Sequence, residues 1–403
     1  MDQTAFLVVV LVVALALFFD FTNGFHDTAN AMATPIATGA MKPRTAVILA
    51  AVMNLIGAFI STAVAKTISV DTINGDLTKW GPAMIFAGLT GAILWNLTTW
   101  FFGLPSSSSH ALFGGLIGAA IVYGGFDAVN VTKIVEKVLI PALFAPFIAG
   151  VAAWLATSLA YIITGRSKNV ATGRGKFKVG QVFSSSLVAL SHGTNDAQKT
   201  MGVITLVLVA AGLQSGDAGV PFWVIFSAAA AIALGTFSGG WRIIKTMGHG
   251  LAEIRPAQGF AAEVSTGSTI LASSYLGFAL STTQVASGSV IGSGLGRIGA
   301  KVRWGKAGQI VIGWFLTLPA AAAVGMLSAL LTRGLGTAGL VLDAVLAIIL
   351  IVVIFQMSRK NNINHKSLAE SGVEEVGEAI ASPKQVRQEA AKAKKAAKGK
   401  AKK

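Results

Sequence analysis

The chain has 403 residues, 53% of them hydrophobic and only 12% charged, with a mean hydropathy of +0.68, which excludes an ordinary soluble enzyme and places it in a bilayer. The formal charge is +15, yet residues 384–403 hold eight Lys, one Arg and one Glu, so +8 of it sits in the tail. The other basic residues lie mostly in short loops and not on one folded face, which argues against a nucleic-acid partner, and the absence of Cys excludes disulfides and thiolate metal sites.

Residues 5–19, AFLVVVLVVALALFF, form the first apolar run. Ala14-Leu15-Ala16 has the small-x-small look of a cleavage site, but Met1-Asp2-Gln3-Thr4 carries no Lys or Arg and more membrane sequence follows. The run therefore reads as a retained helix and not as a signal peptide. A membrane span takes about 20 apolar residues, and windows near that length recur at 45–65, 82–102, 138–164, 181–213, 220–238, 307–331 and 336–356. Segments 20–40, 103–124, 259–275 and 276–296 are rich in Gly, Ser, Thr or Pro and read as broken or re-entrant helices. The expected fold is an all-α polytopic membrane protein of roughly ten to twelve membrane segments.

Lys and Arg in short loops set the expected orientation. Arg166, Lys168, Arg174, Lys176 and Lys178 mark residues 166–180 as a basic cytoplasmic loop. Arg297, Lys301, Arg303 and Lys306 form a second basic loop, and the tail from Arg359 a third. The loop 66–79 balances Lys66 and Lys79 against Asp71 and Asp76 and is expected outside, as is the N-terminus. The domains expected are a first membrane repeat (1–165), the basic loop (166–180), a second repeat (181–358) and a charged, disordered cytoplasmic tail (359–403). The tail ends in the low-complexity run AAKAKKAAKGKAKK, which cannot form a core. A solvated tail is the plain reading, and attraction to anionic lipid the sharper one.

The halves share sequence. Gly24, Asp27 and Met32 of GFHDTANAM align with Gly193, Asp196 and Met201 of GTNDAQKTM, at an offset of 169. Ser107-Ser108-Ser109-His110 with Gly114, Ile117 and Gly118 aligns with Ser281-Thr282-Thr283-Gln284 and Gly288, Ile291 and Gly292, at an offset of 174. Two motif pairs in one order, in halves that begin on opposite faces, indicate an inverted repeat, an architecture of secondary transporters.

Asp27 and Asp196 are acids in apolar or weakly polar surroundings, where a charge costs roughly 2.5–3.5 kcal/mol even on a lenient insertion scale. Their neighbours are Asn23, His26, Thr28 and Asn30 in one copy, and Ser191, His192, Thr194, Asn195, Gln198, Lys199 and Thr200 in the other. That set of hard oxygens and hydrogen-bond donors suits a cation beside an oxyanion. The plainer alternative is that each Asp caps a helix beginning there. Ser106, Ser107, Ser108 and Ser109 after Pro105, and Ser281, Thr282 and Thr283, place hydroxyls and free N–H groups at expected helix starts, which attract anions. Small-residue packing faces are the alternative. Lys199 either pairs with a carboxylate, Asp196 foremost, or binds an anion directly. His26, His110 and His192 are hydrogen-bonding groups or proton carriers, and no zinc site is expected because no closely spaced ligand set occurs. Glu253 and Glu263 read as structural, paired with Arg242, Lys245 or Arg255.

With these motifs the chain resembles the inorganic phosphate transporter (Pit) family, and most closely its bacterial members. The resemblance rests on Asn23-Gly24-Phe25-His26-Asp27-Thr28-Ala29-Asn30-Ala31, on Ser191 through Gly202, and on the Ser/Thr segments ending in His110 and Gln284. It extends to GGWRIIKTMG at 239–248, Arg255-Pro256 and GFAAE at 259–263. It covers residues 5–356 and implies symport of inorganic phosphate with a cation, H⁺ or Na⁺, through two inverted halves. The family's paired Asp motif maps onto Asp27 and Asp196 and its Asn position onto Asn30. Lys199 departs from the Asp-x-x-Asn form, where its charge can replace a bound cation, and Gln284 stands where some members carry His. The resemblance also implies no tightly bound cofactor, a homodimer in a bacterial plasma membrane and, in some members, a neutral metal–phosphate complex as cargo.

The combined expectation assigns phosphate to Asn30, Ser106, Ser107, Ser108, Ser109, Asn195, Lys199, Thr200, Ser281, Thr282 and Thr283. It assigns the coupling cation to Asp27, Asp196, Asn23 and Gln198, and proton handling to His26, His110 and His192. A permease of the same fold for sulfate or another tetrahedral oxyanion is the alternative. An intramembrane aspartyl protease is disfavoured by the absence of Tyr-Asp and Gly-x-Gly-Asp motifs, and a passive channel by the lack of a long polar pore-lining helix.

Overall fold

In lipid every backbone polar group must be satisfied internally, which leaves helices or closed barrels, and apolar runs of about 20 residues, twice the length of a membrane strand, take the helix. The computed structural model describes residues 3–66, 68, 77–165, 170–297 and 300–360. The tail beyond Lys360, with the expectations made for it, and most of the loop 66–79 lie outside the described residues. In chain order the helices are α1 Gln3–Ala37, α2 Pro43–Gly57, a short α3 Ala63–Lys66, α4 Leu77–Phe101, α5 Ser108–Gly124 and a short α6 Val131–Ile134. There follow α7 Ile140–Gly165, α8 Val170–Ala210, α9 Phe222–Ser238, a short α10 Trp241–Lys245, α11 Pro256–Tyr275, α12 Thr282–Leu295 and α13 Trp304–Lys360. Gly336, at φ 55°, breaks α13 into two arms, a conformation that favours glycine.

The chain is all-α and polytopic, as expected. By length and composition, four described stretches can cross a membrane, Ala5–Ala37, Trp80–Phe101, Val131–Ile163 and Trp304–Arg359, and a bent pair over α9 and the following helix makes a fifth. The other helices of ten residues or more are short (α2, α5, α12) or polar (α8, α11); α5 and α12 are almost wholly buried in protein, whereas α2 keeps an exposed apolar face at Ile48, Val52 and Ile56.

Four expectations change, the first being that window 45–65 is split between α2, which ends at Gly57, and α3. Segment 20–40 is unbroken helix through Ala37, and segment 259–275 is unbroken in α11. Several polar residues of α1 bond sideways or back to the helix, as where Thr34 Oγ1 donates to Glu263 Oε1 and Thr28 Oγ1 donates to Gly24 O, both at 2.6 Å, so the helix has no need to open there. Residues 170–180, expected as loop, are the first turns of α8, since basic composition reports location and not secondary structure. The breaks before α5 and before α12 are as expected.

The glycines of the two aligned motif pairs pack alike. Gly24 of α1 meets α9, where a Cβ would stand 2.4 Å from Ile232 O, and its counterpart Gly193 of α8 meets α2, 2.2 Å from Asn54 O. Gly114 and Gly118 of α5 lie against Leu318 and Ala322 of α13, while Gly288 and Gly292 of α12 lie against Pro146 and Gly150 of α7. Small residues let the backbones approach this closely. The two sequence halves therefore interlock: α13 completes a group with α4 and α5, α7 completes the matching group with α11 and α12, and α1, α2, α8 and α9 pack between them.

Candidate functional site

The N-termini of α5 and α12 reach the middle of α1 and α8. Each is capped the same way, Ser107 Oγ accepting from His110 N at 3.1 Å and Ser281 Oγ from Gln284 N at 3.3 Å. These are the Ser/Thr runs at helix starts that the sequence pointed to. Asp27 and Asp196 do not cap helices; both lie well inside α1 and α8, so the capping alternative fails.

Asp27 is held from three elements. His26 Nδ1 lies 2.6 Å from its Oδ1, Thr283 Oγ1 donates to Oδ1 at 3.2 Å, and Ser108 Oγ and Thr282 Oγ1 donate to Oδ2 at 3.0 and 3.1 Å. Thr282 Oγ1 also lies 3.2 Å from Asp196 Oδ2. His192 Nε2 stands 2.8 Å from Asp196 Oδ2 and 3.8 Å from Asp27 Oδ2, while its Nδ1 meets Asn54 Oδ1 at 3.1 Å. Lys199 is 0% exposed; its Nζ pairs with Asp196 Oδ1 and donates to Ser109 Oγ at 2.6 Å and to Leu280 O at 3.2 Å. Of the two roles left open by the sequence, Lys199 takes the pairing with Asp196, and it also faces the hydroxyl run through Ser109. Asn30 Nδ2 donates to Thr283 Oγ1 at 3.1 Å and to Thr282 Oγ1 at 3.3 Å.

One ligand atom each from Asp27, His192 and Asp196 lies within 4.8 Å of the others. Spacing along the chain concealed this set, because Asp27 comes from the first half. Carboxylate oxygens and an imidazole suit a divalent cation.

Other expected residues fall at the margin. Ser106 Oγ is 3.4 Å from His26 Nε2 and 2.7 Å from Thr99 Oγ1, and His110 Nδ1 is 3.5 Å from Gln284 Nε2. Asn195 Nδ2 donates to Ser274 Oγ at 2.9 Å, on α11. Gln198 Oε1 accepts Val64 N at 2.7 Å, at the start of α3, so it holds backbone and does not face the cluster. Among the described residues Glu263 has no salt bridge. It is buried and accepts from Thr34 Oγ1 at 2.6 Å, Gln181 Nε2 at 2.9 Å and Ser184 Oγ, because neutral donors of α1 and α8 surround it where no Lys or Arg reaches. Glu253 does pair with Arg255, at 3.7 Å, and with Arg297, at 3.2 Å.

The sequence reading missed Asp20, Asn54 and Thr99. Asp20 was legible in principle: Asp20, Asn23, Asp27 and Asn30 fall at helical spacing on one face of α1.

Residues 23–175 and 166–325 match the Phosphate transporter family. The chain is 50% identical over 92% of its length to a probable low-affinity inorganic phosphate transporter of Mycobacterium leprae, of which it covers 89%. It is 43% identical over 79% of its length to one from Bacillus subtilis, covering 95% of it. These relatives are named as transporters and not as enzymes. Among solved structures, "The sodium-dependent phosphate transporter" superposes with a TM-score of 0.73 over 81% of this chain and 99% of that one at 23% identity, a likeness of fold.

Proposed function

The chain belongs to the phosphate transporter family, and from that premise we propose that it carries inorganic phosphate across the membrane in symport with a cation, by alternating access. The observation that carries this reading is the occupation of the anion cradle by the protein's own carboxylates. The donors that would hold phosphate, Ser108, Thr282 and Thr283 with Lys199 beside them, are engaged by Asp27 and Asp196. Carboxylate and phosphate oxygens compete for the same hydroxyls. A cation that takes the carboxylates frees those donors, so cation and phosphate bind better together than apart, which is the thermodynamic content of symport.

Charge points the same way. Asp20, Asp27 and Asp196 are all buried, with Lys199, His26 and His192 as the cationic or potentially cationic groups around them. Even with both imidazoles charged, the cluster is at best neutral, and phosphate adds about one to two negative charges near neutral pH. Burying that charge without a cation is prohibitive. H⁺ and Na⁺ both meet this need. The close set of Asp27, His192 and Asp196 supports a second form of cargo, a divalent metal entering with phosphate. Phosphate lies in this reading against Ser106 to Ser109, Ser281 to Thr283, Asn30, Asn195 and Lys199, and Asn23 stands with the two acids on the cation side.

The repeats 1–165 and 181–358 act as inverted halves exchanging helices, in a bacterial plasma membrane, with the loop beginning at Arg166 and the tail in the cytoplasm and the tail near anionic lipid. Two copies form the working unit. The test is radiolabelled phosphate uptake into proteoliposomes under an inward proton gradient, an inward sodium gradient or neither, each with and without magnesium. Uptake driven by one gradient and abolished in an Asp27→Asn, Asp196→Asn double variant supports symport. Full uptake by that variant overturns it, and equal competition by unlabelled sulfate shifts the substrate to oxyanions in general.

A further inference from the structure

Asp20 stands beside the cluster around Asp27 and Asp196 but makes no hydrogen bond to it. It is fully buried inside α1, and neither carboxylate oxygen has a hydrogen-bond partner. Asn23, three residues on along the same face, is equally buried, with both side-chain amide atoms unpartnered. Thr200, fully buried on α8, lies beside the Asp20 carboxylate without a well-formed hydrogen bond to it, and its Oγ1 is unpartnered too. The charged groups around Asp20 are Asp196, His192 and Lys199. Of these, Lys199 is already committed to Asp196, Ser109 and Leu280 O, and His192 faces Asp196 and Asn54.

Buried polar atoms are ordinarily paired, and a buried carboxylate without a partner is the least favourable kind to leave alone. The unpaired set is rich in oxygen: two from Asp20, one from Asn23 and one from Thr200. A proton on Asp20 supplies one donor and so one further hydrogen bond, whereas a small hard cation among these oxygens takes all four as ligands. We propose that Asp20, Asn23 and Thr200 form a second cation site, built for one sodium-like monovalent ion, on the seam between α1 and α8. Seven residues of helix set Asp20 about 10 Å along α1 from Asp27, so this ion approaches the phosphate cluster without displacing it. The site rests on the symport reading and deepens it by locating a coupling ion outside the paired-Asp motif.

The experiment is binding of radiolabelled sodium to the purified full-length chain in nanodiscs at fixed pH, with choline replacing sodium as the control and phosphate binding measured separately. Saturable sodium binding is expected in the wild type, weakened at least tenfold by Asp20→Asn and several-fold by Thr200→Val, but kept by Thr200→Ser, which retains the hydroxyl. Should Asp20→Asn fail to fold, the contrast between Thr200→Val and Thr200→Ser decides the matter. Absence of saturable sodium binding in the wild type, or binding indifferent to both substitutions, overturns the site. Loss of phosphate binding by the wild type with sodium binding intact overturns the symport reading instead and leaves the site standing.

Discussion

Asp27 and Asp196, in different halves of the chain, share one hydroxyl: Thr282 Oγ1 lies 3.1 Å from an oxygen of the first and 3.2 Å from an oxygen of the second. A hydroxyl has a single proton to donate. Only one carboxylate can hold it at a time, so Thr282 couples the occupancy of the two acids.

Thr282→Val keeps the shape and removes that donor. Phosphate uptake in proteoliposomes should fall at least tenfold, while Thr282→Ser should stay near the wild type. A lost hydrogen bond to a buried charge is worth about 1.5–3 kcal/mol, so the valine variant should also melt earlier in detergent. Equal uptake by the two variants would show that the shared proton is irrelevant.

Lys199 and Asp196 form a buried pair, and removing one partner leaves an uncompensated charge. Lys199→Met alone should destabilise by about 3–5 kcal/mol. Lys199→Met with Asp196→Asn should be less destabilised than the sum of the two single variants. A thermal-stability cycle in detergent measures the coupling, and strict additivity would mean that the pair does not act as a unit.

The repeated glycines should be intolerant of a methyl group. Gly193→Ala places a Cβ 2.2 Å from Asn54 O and Gly288→Ala one 2.3 Å from Pro146 O, both backbone atoms that cannot step aside. Each should destabilise by about 1–3 kcal/mol or more. Gly305→Ala, where nothing lies within 4 Å, should leave the melting temperature within a degree or two of the wild type, on the order of the ±0.5 kcal/mol of a surface change.

Glu263 ties α11 to α1 and α8 through Thr34, Gln181 and Ser184. Glu263→Ala orphans three buried groups, at about 1–3 kcal/mol each, whereas Glu263→Gln keeps one acceptor oxygen. Stability in detergent should rank wild type, then Gln, then Ala. Ala equal to wild type would show that the network holds nothing together.

Much of this was legible in the sequence. Apolar runs with punctuating Gly, Ser and Pro announce membrane helices, and the two Asp motifs with their Ser/Thr partners announce a repeat. The breaks before Ser108 and Thr282 were readable because Pro105 and the hydroxyl runs are local signals. The continuity of α1 through Ala37 was not, because what keeps it closed is supplied from elsewhere, as where Asn30 meets α12 and Thr34 meets α11. That discontinuity, expected but absent, hid Asp20, which looks like the edge of one segment when it begins a polar stripe. Gln198 shows the opposite limit: its place in the motif suggested a cation, but its oxygen is taken by the backbone of α3.

The amino-acid order alone determined the membrane class, the helical class and the residue types of the site, since each is written in local composition and periodicity. Only the tertiary structure decided that α5 packs on α13 and α12 on α7, that His192 joins Asp27 and Asp196 in one ligand set, and that Lys199 is shared between Asp196 and Ser109. Those outcomes depend on glycine faces letting distant helices approach, and on buried charges finding partners far away along the chain. A linear reading has no physical term for either.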